Sequence, residues 1–466
     1  MNSMKIYNKK INNNLIAFLM LGVIAITGCE KRLDVSPYQS ISDTKALLSE
    51  GDVIVTLIGS YDGAQAATAY GGDIMVMNEL LGNTDNISFT GTFAGLSEIA
   101  KAQITAANTN ASGTWTAAYN TINRCNNVLS AIDKVTSSTD KKNSVEGEAL
   151  FIRASMHFEL VKLYAKAVGD GDYAANLGVP LVLKPTGNIT TSDYAARATV
   201  KAVYEQVITD LTRAESLLPE DNSMYATKYA AAAQLSRVYL ASKNYTAAAA
   251  AADRVIANSG KTLNADFSKL WFTFINNGGV TPSEYIFSMK VTQSDGVNAL
   301  NTYFGKGTSA ISGTSGRGDC KVKAAHIALY ETGDVRKSFF QVISGNNYTK
   351  KHLDTYGDVP VIRLAEMYLT RAESNFRLGT TVGATPLADV NAIRTRAGLA
   401  SLSVLTLDAI TKERFLELAF EGQYLTDAKR LQKSVGTLAW NAPALILPIP
   451  QREIDVNKKL VQNTGY

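Results

Sequence analysis

Apolar residues that recur at helical spacing, block after block, constrain this chain more than any other feature. From 115 to 168 they include Trp115, Tyr119, Ile122, Val128 and Leu129, then Phe151, Phe158, Leu160, Val161 and Tyr164. That period predicts two antiparallel helices joined by the polar loop around Ser137 to Lys142. The pattern returns over 200–218 and 226–258, and again from Arg363 through LAEMYLTRAESNFRLG, ADVNAIRTRAGL and ITKERFLELAFEGQYLTDAKR, each with an apolar stripe and a charged opposite face. Helix pairs of this kind bury their apolar faces only by stacking on neighbours, so a superhelical scaffold is expected near 115–168, 200–258 and 363–430.

Within the second block Leu235, Tyr239, Tyr245 and Ala248 stand at offsets that resemble a tetratricopeptide repeat. The alanine run 247–252 then reads as a close helix contact, with polar Asn244 and Asp253 flanking it in register. Between the blocks, 70–114 and 260–360 are rich in Gly, Asn, Thr and Ser, with turn signals at Gly71-Gly72, Asn277-Gly278-Gly279 and Gly313 to Gly318. These segments are expected to be long loops with short strands at most. Holding such segments ordered costs conformational entropy that bare architecture does not require, so the recognition surface is placed there. No composition shift marks a boundary after residue 46, and 46–466 is expected as a single mainly α domain with a loop-rich lobe.

Residues 1–28 read as an export signal. Lys5, Lys9 and Lys10 form a basic start, and Leu15 to Thr27 form an apolar stretch too short to span a bilayer stably. The stretch ends Ile26-Thr27-Gly28-Cys29, which resembles a bacterial lipobox. Cys29 would become the first residue of the mature chain and carry lipid, and several acyl chains on one residue suffice for stable membrane attachment. Residues 29–45, with Leu33, Asp34 and Pro37 in polar company, suit a tether.

The formal charge of +4 includes the three leader lysines, and subtracting them leaves +1 for the mature chain. No basic patch remains to bind a nucleic-acid backbone. Besides Cys29, Cys125 and Cys320 could pair with each other, but buried free thiols are the expectation, because a chain this large needs no staple. His157, His326 and His352 stand alone, without a second ligand at metal-binding spacing, and no metal or cofactor is expected. His157 is expected to be half-buried. No carboxylate pair stands out as a glycosidase would require, so an enzyme is not expected.

The carboxy-terminal third carries the most specific motifs. They are Arg363-Leu364-Ala365-Glu366 with Arg371-Ala372-Glu373; Asn391 through Arg394 with Arg396-Ala397-Gly398-Leu399; Glu413-Arg414 with Glu417; Phe420-Glu421-Gly422; Asp427 through Arg430; Leu447-Pro448-Ile449-Pro450 with Glu453-Ile454; and Gln462-Asn463 with Gly465-Tyr466. These resemble the motifs of the SusD/RagB outer-membrane lipoproteins, and with Cys29 and the repeat-like helices the resemblance spans the mature chain. It departs from the family at Tyr424, where members commonly carry a basic residue, and at Lys31-Arg32, where members often carry acidic ones. The resemblance implies a tetratricopeptide-like scaffold and a lid-like role over a SusC-like TonB-dependent transporter, with lipid anchoring at the surface of the outer membrane. The implied ligand is glycan, or peptide as in the RagB branch; an adaptor that touches only the transporter is the third reading.

Several residues are weighed for these roles. Arg394, Arg396, Glu413, Arg414, Glu417 and Asp427 are read as interhelical ion pairs. Trp115, Trp271 and Trp440 are read as core, and Arg317-Gly318-Asp319 as a glycine turn. Sugar binding uses aromatic faces and planar amides or carboxylates. The candidates are therefore Tyr70, the cluster Asn83, Asp85, Asn86 and Phe89, and Tyr303 with Phe304.

Overall fold

The computed structural model describes residues 47–187, 190, 193–273, 280–308 and 315–466. The export signal, Cys29 and the tether lie outside them, as do Asn277-Gly278-Gly279 and Gly313. Helix α1 (Glu50–Gln65) starts at a reciprocal cap, in which the Ser49 hydroxyl accepts from the Asp52 amide and the Asp52 carboxylate accepts from the Ser49 amide. It is followed by α2 (Asp73–Gly82), strand β1 (Ile87–Phe89), α3 (Ala94–Ala100), α4 (Thr109–Ser130) and α5 (Thr139–Tyr164). Then come α6 (Val200–Leu217), α7 (Lys228–Ala241) and α8 (Tyr245–Asn258), capped by the side chains of Thr199, Thr227 and Asn244.

The packing order follows the chain. Helix α4 packs on α1 and α5, α6 on α5, α7 on α6 and α8 on α7. Ala230 to Ala233 on α7 and Ala248, Ala249, Ala251 and Ala252 on α8 are all buried, so small side chains let these two backbones approach. The alanine run is helix packing, as the sequence suggests.

An irregular lobe interrupts the helices. Strand β2 (Tyr285–Met289) precedes α9 (Ala299–Phe304), β3 (Lys306–Thr308), β4 (Ser315–Arg317), β5 (Cys320–Val322), α10 (Ala324–Ile327), β6 (Phe340–Ile343), β7 (Asn346–Thr349) and β8 (Val359–Arg363). The strands form an antiparallel sheet in the order β1-β5-β7-β6 and the pairs β2-β8 and β3-β4. Helices resume with α11 (Leu364–Leu378), which packs on α8, and α12 (Pro386–Arg396) and α13 (Leu407–Glu417), which pack on α11. Helix α11 stops at Gly379, whose φ of +65° is a left-handed cap. Helices α14 (Tyr424–Arg430) and α15 (Gln451–Val456) complete a mainly α fold in which Ser49–Tyr466 form one compact unit.

Two expectations need correction here. The segment 70–114 is not mostly loop, because α2 and α3 lie within it and α4 begins at Thr109. Every residue of α2 is buried, so Asp-Ile-Met-Val-Met-Asn-Glu-Leu-Leu-Gly shows no polar face for the 3.6 period to reveal. The polar loop expected around Ser137 to Lys142 is shorter, because the Ser138 side chain caps α5 and the helix starts at Thr139.

The charged carboxy-terminal motifs form interhelical ion pairs as the sequence suggests, and in addition they join the helices to the lobe. Arg394 bonds Glu413 at 3.4 Å, Arg414 bonds Asp427 at 2.8 Å, and Arg396 bonds both Glu417 and Glu284. Arg336 and Arg363, on the lobe side, also reach Glu417, at 3.2 and 3.1 Å. Burial alone would push the Glu417 carboxyl up, but Arg396, Arg363 and Arg336 outweigh it and hold the group well below the usual carboxylate range.

Candidate functional site

The loop after β1 carries Thr90, Gly91, Thr92 and Phe93 across the edge of the β3-β4 hairpin. The Thr90 amide donates to the Asp319 carbonyl at 2.8 Å. A Cβ at Gly91 would run into the Asp319 carboxylate and the far end of the Phe89 ring, so both side chains would have to shift for any other residue. Gly316 in β4 is held more strictly, because a Cβ there would meet the backbone carbonyls of Asn301 and Gly305 at the end of α9, which cannot swing aside. Gly318 turns the chain with φ of +64°.

These close approaches gather an aromatic and cationic patch. The Arg317 guanidinium stands 4.7 Å from the Phe93 ring centroid, and Tyr303 meets the same ring edge-on at 5.6 Å and 83°. Arg317 Nε donates to Asp319 at 2.9 Å and its Nη2 to Thr92 Oγ1 at 3.0 Å. Lys306 Nζ donates to the Arg317 carbonyl at 3.1 Å. Phe93 is 40% exposed although it is a large apolar ring. Burial pushes the Tyr303 hydroxyl up to about 12, so it stays protonated and able to donate. Held rigid on one side by the ion-paired arginine, the ring presents its remaining area to solvent.

A separate cleft of about 580 Å³ is walled by Trp115, Tyr119, Tyr194, Arg452 and Glu453. Tyr119 is already committed, since its hydroxyl donates to the Pro180 carbonyl at 2.9 Å. Among the described residues no group of three or more His, Cys, Asp or Glu side chains is placed to hold a metal ion. Burial lowers His157 and His326 to about 3 and His352 to about 4, leaving all three neutral at pH 7. His157 is fully buried and not half-buried as the sequence suggested.

A family model for SusD-like proteins, described as starch-binding and associating with the outer membrane, matches residues 31–240, and a SusD family model matches 330–445. The chain belongs to the SusD/RagB family. A SusD-like protein of Formosa agariphila is 24% identical over 534 positions, covering 97% of this chain and 99% of that one. A SusD superfamily protein of Bacteroides thetaiotaomicron has the same fold, with a TM-score of 0.78 and 26% identity over 89% of this chain and 100% of that chain. A laminarin-binding SusD-like protein superposes with a TM-score of 0.75 and 25% identity, covering 90% of this chain and 100% of the other.

On this SusD/RagB frame the sequence candidates scatter. Tyr303 lies in the patch and half-buried Phe89 adjoins it. Exposed Asp85 and half-buried Asn86 lie before β1, on a turn closed by Asn86 Nδ2 donating to Asn83 Oδ1 at 2.7 Å. Three candidates are core residues instead. Tyr70 is buried and its hydroxyl donates to Glu159 at 3.2 Å, Asn83 is buried at the end of α2, and Phe304 packs on His352 and Phe420. Phe304 follows Tyr303 on α9 but leaves the helix about 100° further round and is fully buried, whereas Tyr303 is half-buried.

Sequence reasoning missed Phe93 and read Arg317 only as part of a turn. The spacing Phe89-Thr-Gly-Thr-Phe93, two rings around a glycine that permits close backbone approach, is the signal that could have found it. Trp115 and Trp271 are buried as expected, but Trp440 is only half-buried. Tyr424 packs its ring on Phe415 at 4.7 Å, so aromatic packing stands where other members commonly place a basic residue. Cys125 and Cys320 are buried free thiols.

Proposed function

We propose that this protein is a lipid-anchored capture protein of the outer-membrane surface that binds an oligosaccharide or polysaccharide and passes it to a SusC-like TonB-dependent transporter. The observation that carries the reading is the patch of Phe93, Tyr303 and Arg317 on the loop-rich lobe of a SusD-like fold. An exposed ring is suited to the apolar face of a pyranose, and the Tyr303 hydroxyl and Lys306 are donors suited to its hydroxyl groups. The laminarin-binding relative supports a carbohydrate over other solutes. Cys29 would carry the lipid.

Affinity electrophoresis of the mature chain through gels containing laminarin, starch or xylan tests the binding step. Retardation by one glycan that is lost in Phe93→Ala and Tyr303→Ala supports the reading, and equal mobility in every gel contradicts it. Replacing Cys29 by Ala is expected to abolish palmitate labelling and move the protein out of the outer-membrane fraction.

Peptide capture is favoured by one observation, the burial of Trp115 and Trp271, which leaves few strong stacking platforms for sugar. Mass spectrometry of material released from the purified protein by mild denaturation separates the two: short peptides favour this second reading. Normal uptake in a strain carrying both patch substitutions would point to an adaptor that binds the transporter alone.

A further inference from the structure

Lys429 lies on α14, beside the arginine of the carboxy-terminal Asp427–Arg430 motif, and the account so far gives it no role. Its side chain is buried, at 4% exposure, and among the described residues its Nζ has no hydrogen-bond partner. A buried ammonium with nothing to receive its three N–H donors is costly. Lys429 lines a small pocket of about 20 Å³, room for one or two water-sized particles.

The charges around that pocket can be assigned one by one. From α5, Lys162 is bonded to Glu159 at 2.7 Å. From α14, Arg430 is satisfied by Glu373 and Asp427, at 2.6 Å each. From the segment after α5, Lys166 and Asp170 stand 4.0 Å apart, and Asp170 is the acidic group that acts on Lys429. From the turn after α7, the Lys243 ammonium lies against Gly169. Helix α6 contributes Tyr204, which is uncharged. One carboxylate, Asp170, thus faces Lys166 and Lys429 together with Lys243 close by, and the cluster is left with positive charge in excess. Val161, Ala167, Val168 and Ala241 complete an apolar wall, while Thr426 and Tyr204 bring hydroxyl groups.

We propose that this pocket is a binding site for one small monovalent anion of halide size, held by Lys429. A negative charge offsets that excess, and a single spherical ion fits a pocket of about 20 Å³ where a phosphate or sulfate would not. The alternative for an empty or hydrated pocket is that the amine sheds its proton, since burial lowers it to about 7 despite Asp170. Anion and proton are then linked: chloride favours the charged amine, and the charged amine favours chloride.

The test uses the mature chain in chloride and in gluconate at equal ionic strength. At pH 6 the melting temperature is expected to rise saturably with chloride, by roughly 2 °C once the ion is far above its Kd. The rise shrinks at pH 9, where the amine is neutral, and is absent in Lys429→Met, a substitution that keeps the volume and removes the charge. Crystals grown in bromide are expected to show an anomalous peak in contact with Nζ. Chloride dependence that survives in Lys429→Met, or a pocket holding only water in bromide-grown crystals, overturns the proposal.

Discussion

Glu417 is the most connected carboxylate of the structure's charged seam, and its removal has a calculable consequence. Its side chain is fully buried and receives Arg363, Arg396 and Arg336, which come from a lobe strand, a helix and a lobe turn. Glu417→Gln keeps the shape and one acceptor oxygen but leaves three buried guanidinium groups to share Glu284, Glu413, Glu421 and Asp334. Breaking a buried pair from one side costs about 3–5 kcal/mol, because uncompensated charge stays behind. For a cooperative unit of roughly 400 residues the entropy of unfolding is near 0.8–0.9 kcal/mol per kelvin, so the melting temperature should fall by about 4–6 °C. The control is Glu205→Ala, whose partner Lys201 is exposed and whose loss should cost less than about 0.5 kcal/mol. Calorimetric melting of wild type and both variants decides the matter. A Glu417→Gln protein that melts within 1 °C of wild type would refute the view that this seam holds the lobe to the helices.

Other consequences are open to similar checks. Burial raises the Glu79 carboxyl to about 7, although the Gly422 amide donates to it. Its folded pKa therefore lies above the unfolded value, so the charged group destabilises the fold increasingly as pH climbs from about 4 to 7. Glu79→Gln should stabilise by up to about 3 kcal/mol at pH 8 and by almost nothing at pH 4, read from urea midpoints. Burial pushes the Cys125 thiol up to about 12 and raises the Cys320 thiol as well, so iodoacetamide should label neither until denaturant is added. Ala249→Leu on α8 should lower stability by about 1–3 kcal/mol through overpacking where the helix is buried between its neighbours, whereas the same change at exposed Ala67 should not.

Helices α4, α6 and α8 were legible because each has one face to bury and one to wet, which the 3.6 period records, while α5, buried at every position from Gly147 to Tyr164, was legible by the length of its largely apolar run. The carboxy-terminal ion pairs were legible because arginine and glutamate alternate along these helices in a register that suits interhelical pairing. Helix α2 was not legible, since a helix buried on all sides carries no period. Nor was the fate of Tyr70 and Phe304, because turn composition says nothing about what covers the turn: Glu159 of α5 reaches Tyr70, and Phe420 with His352 covers Phe304. The patch itself joins Phe93 to Tyr303 and Arg317 across more than two hundred residues of chain, a distance that local pattern does not bridge.

Capture of glycan by that patch is the central claim, and calorimetric titration of residues 30–466 against plant, host and microbial polysaccharides, with an oligopeptide pool in the same buffer, tests it most directly. The account predicts saturable heat with one glycan class and a loss of about tenfold in affinity, equivalent to ~1.4 kcal/mol, in Phe93→Ala and in Tyr303→Ala. Heat from peptides alone, or glycan binding indifferent to both substitutions, would contradict it.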